Sequence, residues 1–307
     1  MVASPPMNAR PTIVPRTYQL MLWMTLFFVS ANCCAAVVPV DLRCEYRTNP
    51  LGIDNTRPRL SWKIIDTRAE RNQRQTGYRI VVASSLAKLD ADLGDLWDSG
   101  LVEHSDSQNV VFAGEQLTSG RTCYWKVRVR DAADATSAWS KPARFTIGLL
   151  NPSDWLGSWI HKEDQIKTDH NWFRKTFSLS QSPSTAFAYV ASFGYHEIYV
   201  NGRKVGDGVM NPAQSFMKKR IPYLTYDVRD YLQPGKNVVA IWHAAGWARW
   251  PRVTEYRNPP FVFKAQVVIE DDAETTTLVT DETWKCRKSN SEYSRGLEYP
   301  RFWWRTH

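Results

Sequence analysis

The chain has 307 residues, which allows about two domains at the usual 100–200 residues each. It carries 39 basic and 31 acidic residues, a net charge of +8, and 43% of its residues are hydrophobic. This composition excludes a wholly disordered or collagen-like chain. The basic residues are scattered, with no zinc-finger spacing and no RNA-binding signature, so we predict no nucleic-acid partner. Aromatic residues reach 13%, which suits β-sandwich cores and also sugar-stacking surfaces.

The first 36 residues have the pattern of a secretory signal peptide. Arg10 and Arg16 precede an apolar run at residues 20–29, and the small residues Cys34-Ala35-Ala36 follow it. The apolar run is shorter than the ~20 residues that a membrane-spanning helix needs. We therefore predict cleavage after Ala36, a secreted or periplasmic location, and membrane contact through the export signal alone.

Three cysteines, Cys44, Cys123 and Cys286, follow the predicted cleavage site. Their number is odd and their spacing matches no zinc template. One disulfide with one free thiol is a possible interpretation, and three isolated buried thiols are the favoured one.

Residues 41–148 have the pattern of a β-sandwich of the immunoglobulin or fibronectin type III kind. Strand-like runs separated by turn signals lie at residues 59–65, 77–83 and 123–130. The third run alternates most cleanly, with Cys123, Trp125, Val127 and Val129 on one face. We expect Trp62 and Trp125 in the core of this domain.

Residues 171–287, which follow a polar linker at 149–170, predict a second antiparallel sandwich of the jelly-roll (galactose-binding-like) type. Strand-like runs lie at residues 173–177, 186–191, 196–200, 223–228, 238–241 and 261–269. The dipeptide Asn201-Gly202 is a strong hairpin signal. The fold class predicted from the sequence is therefore all-β, with two sandwiches in series.

The order of several motifs resembles a known family. In the first domain these are Pro58-Arg59-Leu60-Ser61-Trp62, Gln75-Thr76-Gly77-Tyr78 and Leu96-Trp97-Asp98-Ser99-Gly100, and Trp155-Leu156-Gly157-Ser158-Trp159-Ile160 follows in the linker. In the second domain they are Gly194-Tyr195, Asn201-Gly202, Val205-Gly206-Asp207 and Gly246-Trp247. Together they resemble the two N-terminal modules of bacterial α-L-rhamnosidases of glycoside hydrolase family 78.

The resemblance implies hydrolysis of terminal α-L-rhamnose with inversion, by acidic residues on an (α/α)6 barrel C-terminal to these modules. Inverting catalysis needs two carboxyl groups about 6.5–9.5 Å apart across a sugar pocket. The acidic clusters at residues 90–95 and 270–274 have the pattern of solvated loops. We therefore predict no catalytic residue in this chain, and a non-catalytic N-terminal fragment with at most carbohydrate binding.

The C-terminal tail is residues 288–307, and its last part, residues 295–307, lacks strand alternation and family likeness. Trp303-Trp304 must read Gly-Gly in the frame one nucleotide later, because tryptophan has a single codon. Our hypothesis is a frameshift near residues 288–294 that truncated a longer rhamnosidase. Sequencing the gene from codon 280 in all three frames tests it, and a locus without a barrel-coding frame would contradict it.

Five residues of the second domain are the predicted carbohydrate contacts: Tyr195, Asn201, Asp207, Trp247 and Trp250. Aromatic rings stack on apolar sugar faces, while Asn and Asp bind hydroxyls or calcium. For each of them a structural role is the competing interpretation, most simply a hairpin turn for Asn201 and a core position for Trp247.

The partners predicted for these residues are rhamnose-containing glycans. No cofactor is predicted, and no clear motif supports calcium. The alternative function is a stand-alone extracellular carbohydrate-binding or adhesion protein. The sequence leaves the oligomeric state open.

Overall fold

The computed structural model describes residues 35–68, 71–164, 170–249, 261–271, 274–293 and 304–305. Within these ranges the protein is built almost wholly from antiparallel strands, arranged as two sandwiches that follow each other along the chain. This confirms the all-β fold class.

The first sandwich is formed by strands β1 to β7 and one short helix. Their bounds are β1 Val37–Cys44, β2 Arg59–Asp66, β3 Gln75–Ala83, α1 Leu86–Asp90, β4 Trp97–Asp98, β5 Val110–Val111, β6 Thr122–Asp131 and β7 Ala143–Thr146. One sheet has the order β1-β2-β5 and the other the order β4-β3-β6-β7. The three strand runs predicted for this domain coincide with β2, β3 and β6.

The core of the first sandwich follows from the period-two alternation of its strands. Trp125 is 0% exposed and Trp62 is 2% exposed, as predicted. The Trp62 indole donates to Gln75 Oε1 at 2.9 Å, so its polar atom is satisfied inside the domain. The opposite face of β6 carries Lys126 and Arg128, whose cations lie over the Trp139 ring.

The three cysteines that the structure describes, Cys44, Cys123 and Cys286, are free thiols. Cys44 and Cys123 are buried in the first core, where burial raises the pKa of both. Cys286 lies exposed on an edge strand of the second domain. The prediction of three buried thiols is therefore wrong for Cys286, because the edge strand that carries it is exposed along its whole length.

The second sandwich is formed by strands β8 to β16. Their bounds are β8 His170–Leu179, β9 Thr185–Ser192, β10 Tyr195–Val200, β11 Arg203–Lys204, β12 Tyr223–Asp227, β13 Gly235–Ala244, β14 Phe263–Glu270, β15 Thr275–Val279 and β16 Lys285–Lys288. A five-stranded sheet has the order β11-β10-β13-β8-β16, and a four-stranded sheet the order β12-β9-β14-β15. Their inner faces enclose one core, which includes Phe173, Ile198, Ile241 and Phe263.

The outer face of the four-stranded sheet packs against the first domain. Leu149 N donates to the Tyr223 hydroxyl at 2.8 Å, and the Trp155 ring meets the Tyr223 ring edge-on at 5.3 Å. An ion pair of 2.7 Å joins Arg144 to Asp227. We call this contact between the two domains the seam. It needs a glycine at position 148, since a Cβ there would lie 2.0 Å from the Tyr223 hydroxyl oxygen.

The first part of the predicted linker is bound to the second domain. Leu156 N donates to Gln266 Oε1 at 2.8 Å, and Ile160 exchanges backbone hydrogen bonds with Phe263. Residues 165–169 lie outside the described residues. The described part of this polar segment, residues 149–164, is thus bound to β14 at Leu156 and Ile160.

Both ends of the chain carry sequence predictions that fall partly or wholly outside the described residues. Residues 1–34 of the predicted signal peptide lie outside them, whereas Ala36 N donates to Asp131 Oδ2 at 2.9 Å. Of the C-terminal segment, β17 Glu292–Tyr293 pairs with β18 Trp304–Arg305, and residues 294–303 lie outside the described set. No helix in the described ranges is long and apolar enough to cross a membrane.

Candidate functional site

Tyr195 lies at the start of β10, where two motifs of the sequence meet. It pairs with Ala244 at the end of β13, and its ring covers Gly246. A Cβ on Gly246 would come within 2.4 Å of the Tyr195 ring, and Gly246 has φ +48°. The pairing of β10 with β13 brings the Gly194-Tyr195 and Gly246-Trp247 motifs together. A glycine is needed at position 246 because the Tyr195 ring lies directly over it.

The two tryptophans predicted near Tyr195 are placed differently. The backbone of Trp247 belongs to the 3-10 turn Gly246–Arg249, which follows β13. Trp250 lies outside the described residues. Beside this turn a small cluster of buried apolar side chains closes the end of the sandwich, formed by Phe193, Met217, Ala245, Ala248 and Phe261.

Asn201 is fixed inside the protein by hydrogen bonds. Its amide donates to Tyr231 O at 2.9 Å and to Asn237 Oδ1 at 2.8 Å, and its oxygen accepts from Val238 N at 2.9 Å. It also has φ +50°, which suits the hairpin turn with Gly202. Both amide hydrogens are thus used by the fold, in line with the structural interpretation of this residue.

The predicted contacts do not form one cluster. Tyr195 and Asn201 stand at opposite ends of β10, about 20 Å apart along an extended strand. Asp207 is exposed in the segment that follows β11. Across the described ranges no three His, Cys, Asp or Glu side chains gather in a way that would hold a metal ion. The sugar-contact role of these residues stays a prediction.

Two histidines buried between the sheets escaped the sequence analysis. Ser192 Oγ donates its hydrogen to Gly194 O, so His196 Nδ1 donates to Ser192 Oγ at 2.7 Å. His196 Nε2 then accepts from the Tyr226 hydroxyl at 3.0 Å. Burial, reinforced by the neighbouring His243, lowers the pKa of His196 to about 3. Burial likewise lowers the pKa of His243 to about 4, so both rings are neutral.

A cleft of about 700 Å³ lies between the two sandwiches, beside the seam. Its floor is the outer face of the four-stranded sheet, where Phe187 and Tyr189 are buried. The first domain supplies the opposite wall from residues 84–86 and 118–124. The charged residues that line it are Arg121, Asp154, Arg229 and Glu270.

The polar groups of the cleft are held in place by local hydrogen bonds. The Ser119 hydroxyl, which donates to Asp154, lowers the pKa of that carboxyl, and Asn151 N adds a second bond at 2.8 Å. Glu270 Oε2 accepts from the Thr185 hydroxyl at 2.8 Å. Fixed carboxylates beside guanidinium groups are hydrogen-bonding partners that suit a ligand with several polar groups.

No sequence motif could have located this cleft. Its residues come from separate segments of two domains, and each segment is ordinary by itself. A signal did exist for the floor: Phe187 and Tyr189 alternate with the core residues Ala186, Ala188 and Val190 on β9. A strand with large aromatic side chains on its outer face is expected either to be covered by another part of the protein or to form a binding surface.

The fold defines a class of protein, the all-β chains built from two β-sandwich domains in series. Two family models match the chain. One is the Rha78A-like, N-terminal immunoglobulin domain at residues 39–151, and the other is the alpha-L-rhamnosidase N-terminal domain at residues 181–298. The chain therefore belongs to the α-L-rhamnosidase family and carries its N-terminal domains.

Individual relatives agree with the family models. An alpha-L-rhamnosidase of Formosa agariphila is 31% identical over 290 residues, which are 88% of this chain and 31% of that protein. An alpha-L-rhamnosidase of Alteromonas sp. strain LOR is 30% identical over 295 residues, 90% of this chain and 32% of that protein. The chain thus spans about a third of the length of the curated relatives it matches.

The fold agrees with solved structures as well. The alpha-L-rhamnosidase from Dictyoglumus thermophilum has a TM-score of 0.74 and 33% identity, over 83% of this chain and 30% of that chain. The enzyme from Aspergillus terreus has a TM-score of 0.73 and 25% identity, over 84% of this chain and 30% of that chain. The agreement extends over both sandwiches, because neither alone would cover so much of the chain.

Proposed function

We propose that these domains are the non-catalytic, glycan-binding N-terminal part of an α-L-rhamnosidase that acts on rhamnose-containing glycans. The observation that carries the proposal is the match of both sandwiches, in order, to the N-terminal domains of that family. The cleft between the sandwiches is the binding site we assign to the glycan. Its fixed carboxylates and its two arginines supply hydrogen-bonding partners for the hydroxyl groups of a sugar.

The binding part of the proposal is tested with methyl α-L-rhamnopyranoside, followed by NMR titration of the purified chain. We expect weak binding that Glu270→Gln and Arg121→Ala each reduce, because each removes a polar contact from the cleft wall. Glu274→Gln is the matched control, since Glu274 lies in the same hairpin outside the cleft lining. Equal effects of Glu270→Gln and Glu274→Gln, or no binding at all, would contradict the assignment.

The non-catalytic part is tested with 4-nitrophenyl α-L-rhamnopyranoside. We expect no release of nitrophenol by this chain, because its acidic clusters serve the fold: Asp95, for example, accepts from Ser84 and Lys88. Turnover above the buffer rate that survives repurification would contradict this proposal.

We also propose export through the N-terminal segment, with a secreted or periplasmic mature protein. The support is the signal-peptide pattern at residues 1–36. Intact-mass measurement of the exported protein should give a chain that begins at Val37. A chain that begins at Met1, or a lipid-modified Cys33 or Cys34, would contradict the predicted processing.

A further inference from the structure

Cross-strand pairing sets two rows of side chains next to each other on the outer face of the five-stranded sheet. The first row is Glu197, Trp242, Trp172 and Arg287. The second row is Lys204, Tyr199, Ala240, Arg174 and Lys285. Residues of the same strands that alternate with them, such as Phe173 and Ile241, point into the core. Both rows therefore face away from the sandwich.

The aromatic side chains of these rows form a fixed surface. The Trp172 ring meets the Tyr199 ring at 5.0 Å and 66°, and its centroid lies 6.5 Å from that of Trp242. The Trp242 indole donates to Ser289 Oγ at 3.3 Å. All three rings are half-buried, so part of each remains available to a ligand. Rings held by their neighbours offer a sugar a surface that is already ordered.

A recess opens beside Trp172 because the second row contains one small residue. Ala240 stands between Tyr199 and Arg174, and the gap above its methyl group is part of a cavity of about 500 Å³. The side chains around the cavity include Trp172, Arg174, Lys285 and Arg287. We call this cavity the basic recess. Its volume is of the size that small-molecule sites have.

The charges around the basic recess are unbalanced. Arg174, Lys285 and Arg287 are exposed, and none of them makes a side-chain hydrogen bond or ion pair with another described residue. The carboxylate of the first row, Glu197, is already bound by Lys204 at 2.5 Å and by the Tyr199 hydroxyl at 2.7 Å. Three cations around one aromatic recess favour an anionic group between them.

Protection of a sheet edge does not account for this arrangement. Lys285 and Arg287 lie on the edge strand β16, where cations discourage pairing with other chains. Arg174 lies on the interior strand β8 and is paired directly with Lys285. Like charges opposite each other on one face of a sheet destabilise it. An anion that binds between them would remove that repulsion.

We propose that the basic recess binds a saccharide unit that carries a carboxylate or sulfate group. The sugar ring lies against the Trp172 indole, and the anionic group is held by Arg174, Lys285 and Arg287. This site goes beyond the proposed function, which concerns neutral rhamnoside at the cleft between the sandwiches. It would let the chain hold an acidic polysaccharide at a distance from that cleft.

The test is calorimetric titration of the purified full chain with three oligosaccharides of equal length. The first is oligogalacturonate, which carries carboxylates. The second is sulfated dextran, and the third is neutral dextran. We expect one or both acidic sugars to bind and the neutral dextran not to bind. Arg174→Ala and Arg287→Ala should each weaken binding roughly 10–100-fold, the range for one hydrogen bond to a charged group. The acidic sugar that binds more tightly identifies the anionic group.

Two further variants separate a saccharide site from general attraction to polyanions. Ala240→Leu fills the recess without changing charge and should abolish saccharide binding while leaving polyglutamate binding unchanged. Lys236→Ala removes an exposed charge from the same sheet outside the recess and should leave saccharide affinity within about twofold. The proposal is overturned if no acidic sugar binds, or if Ala240→Leu leaves saccharide affinity intact in a protein with unchanged circular dichroism.

Discussion

The free energy of unfolding should fall by roughly 4 kcal/mol between pH 7 and pH 5, about 2 kcal/mol for each of His196 and His243. Both rings are fully buried and neutral, with pKa values of about 3 and about 4 against 6.5 for an exposed imidazole. The unfolded chain therefore binds two protons that the folded chain does not bind. Stability is complete above pH 6.5 and declines as the pH falls toward 4. Urea unfolding at half-unit pH steps measures the decline.

Variants assign this pH dependence to the two rings. His196→Gln and His243→Gln should each remove about half of the slope between pH 6.5 and pH 4.5, because the replacement does not titrate. His104→Gln is the matched control, since His104 is exposed on the first domain. An unchanged slope in the His196→Gln, His243→Gln double variant would show that other groups cause the acid sensitivity.

Much of the fold could be predicted because it depends on local patterns. Alternation of apolar and polar residues located β6 with Trp125 inward, and Asn201-Gly202 located the turn between β10 and β11. Length and turn signals separated the two sandwiches. Each of these features is encoded within about ten consecutive residues, and period-two patterning specifies which face is buried.

The candidate sites could not be predicted because they depend on which strands become neighbours. The basic recess needs Arg174 of β8 beside Ala240 of β13 and Lys285 of β16, three residues far apart in sequence. Asn201 was predicted as a possible sugar contact from its residue type. Its bonds to Tyr231 and Asn237 follow from tertiary pairing that a single sequence does not reveal.

The seam between the sandwiches should be disrupted by Gly148→Ala. The added methyl carbon would lie 2.0 Å from the Tyr223 hydroxyl oxygen and 3.0 Å from the Gly52 carbonyl oxygen. The Tyr223 ring cannot move aside without losing its contacts with Leu149 and Trp155. Overpacking of this kind costs about 1–3 kcal/mol, so the melting temperature should fall by roughly 3–10 °C. Differential scanning calorimetry measures the shift.

A second substitution distinguishes the clash at the seam from a general effect of alanine at this position. Tyr223→Phe by itself should cost about 1 kcal/mol, because Leu149 N loses its partner. In Gly148→Ala, Tyr223→Phe the nearest ring carbon stands 3.2 Å from the new methyl, so most of the clash is relieved. We expect the double variant to be more stable than Gly148→Ala alone. A double variant that is less stable, with the two costs adding, would mean that the Tyr223 hydroxyl is not the group with which the added methyl clashes.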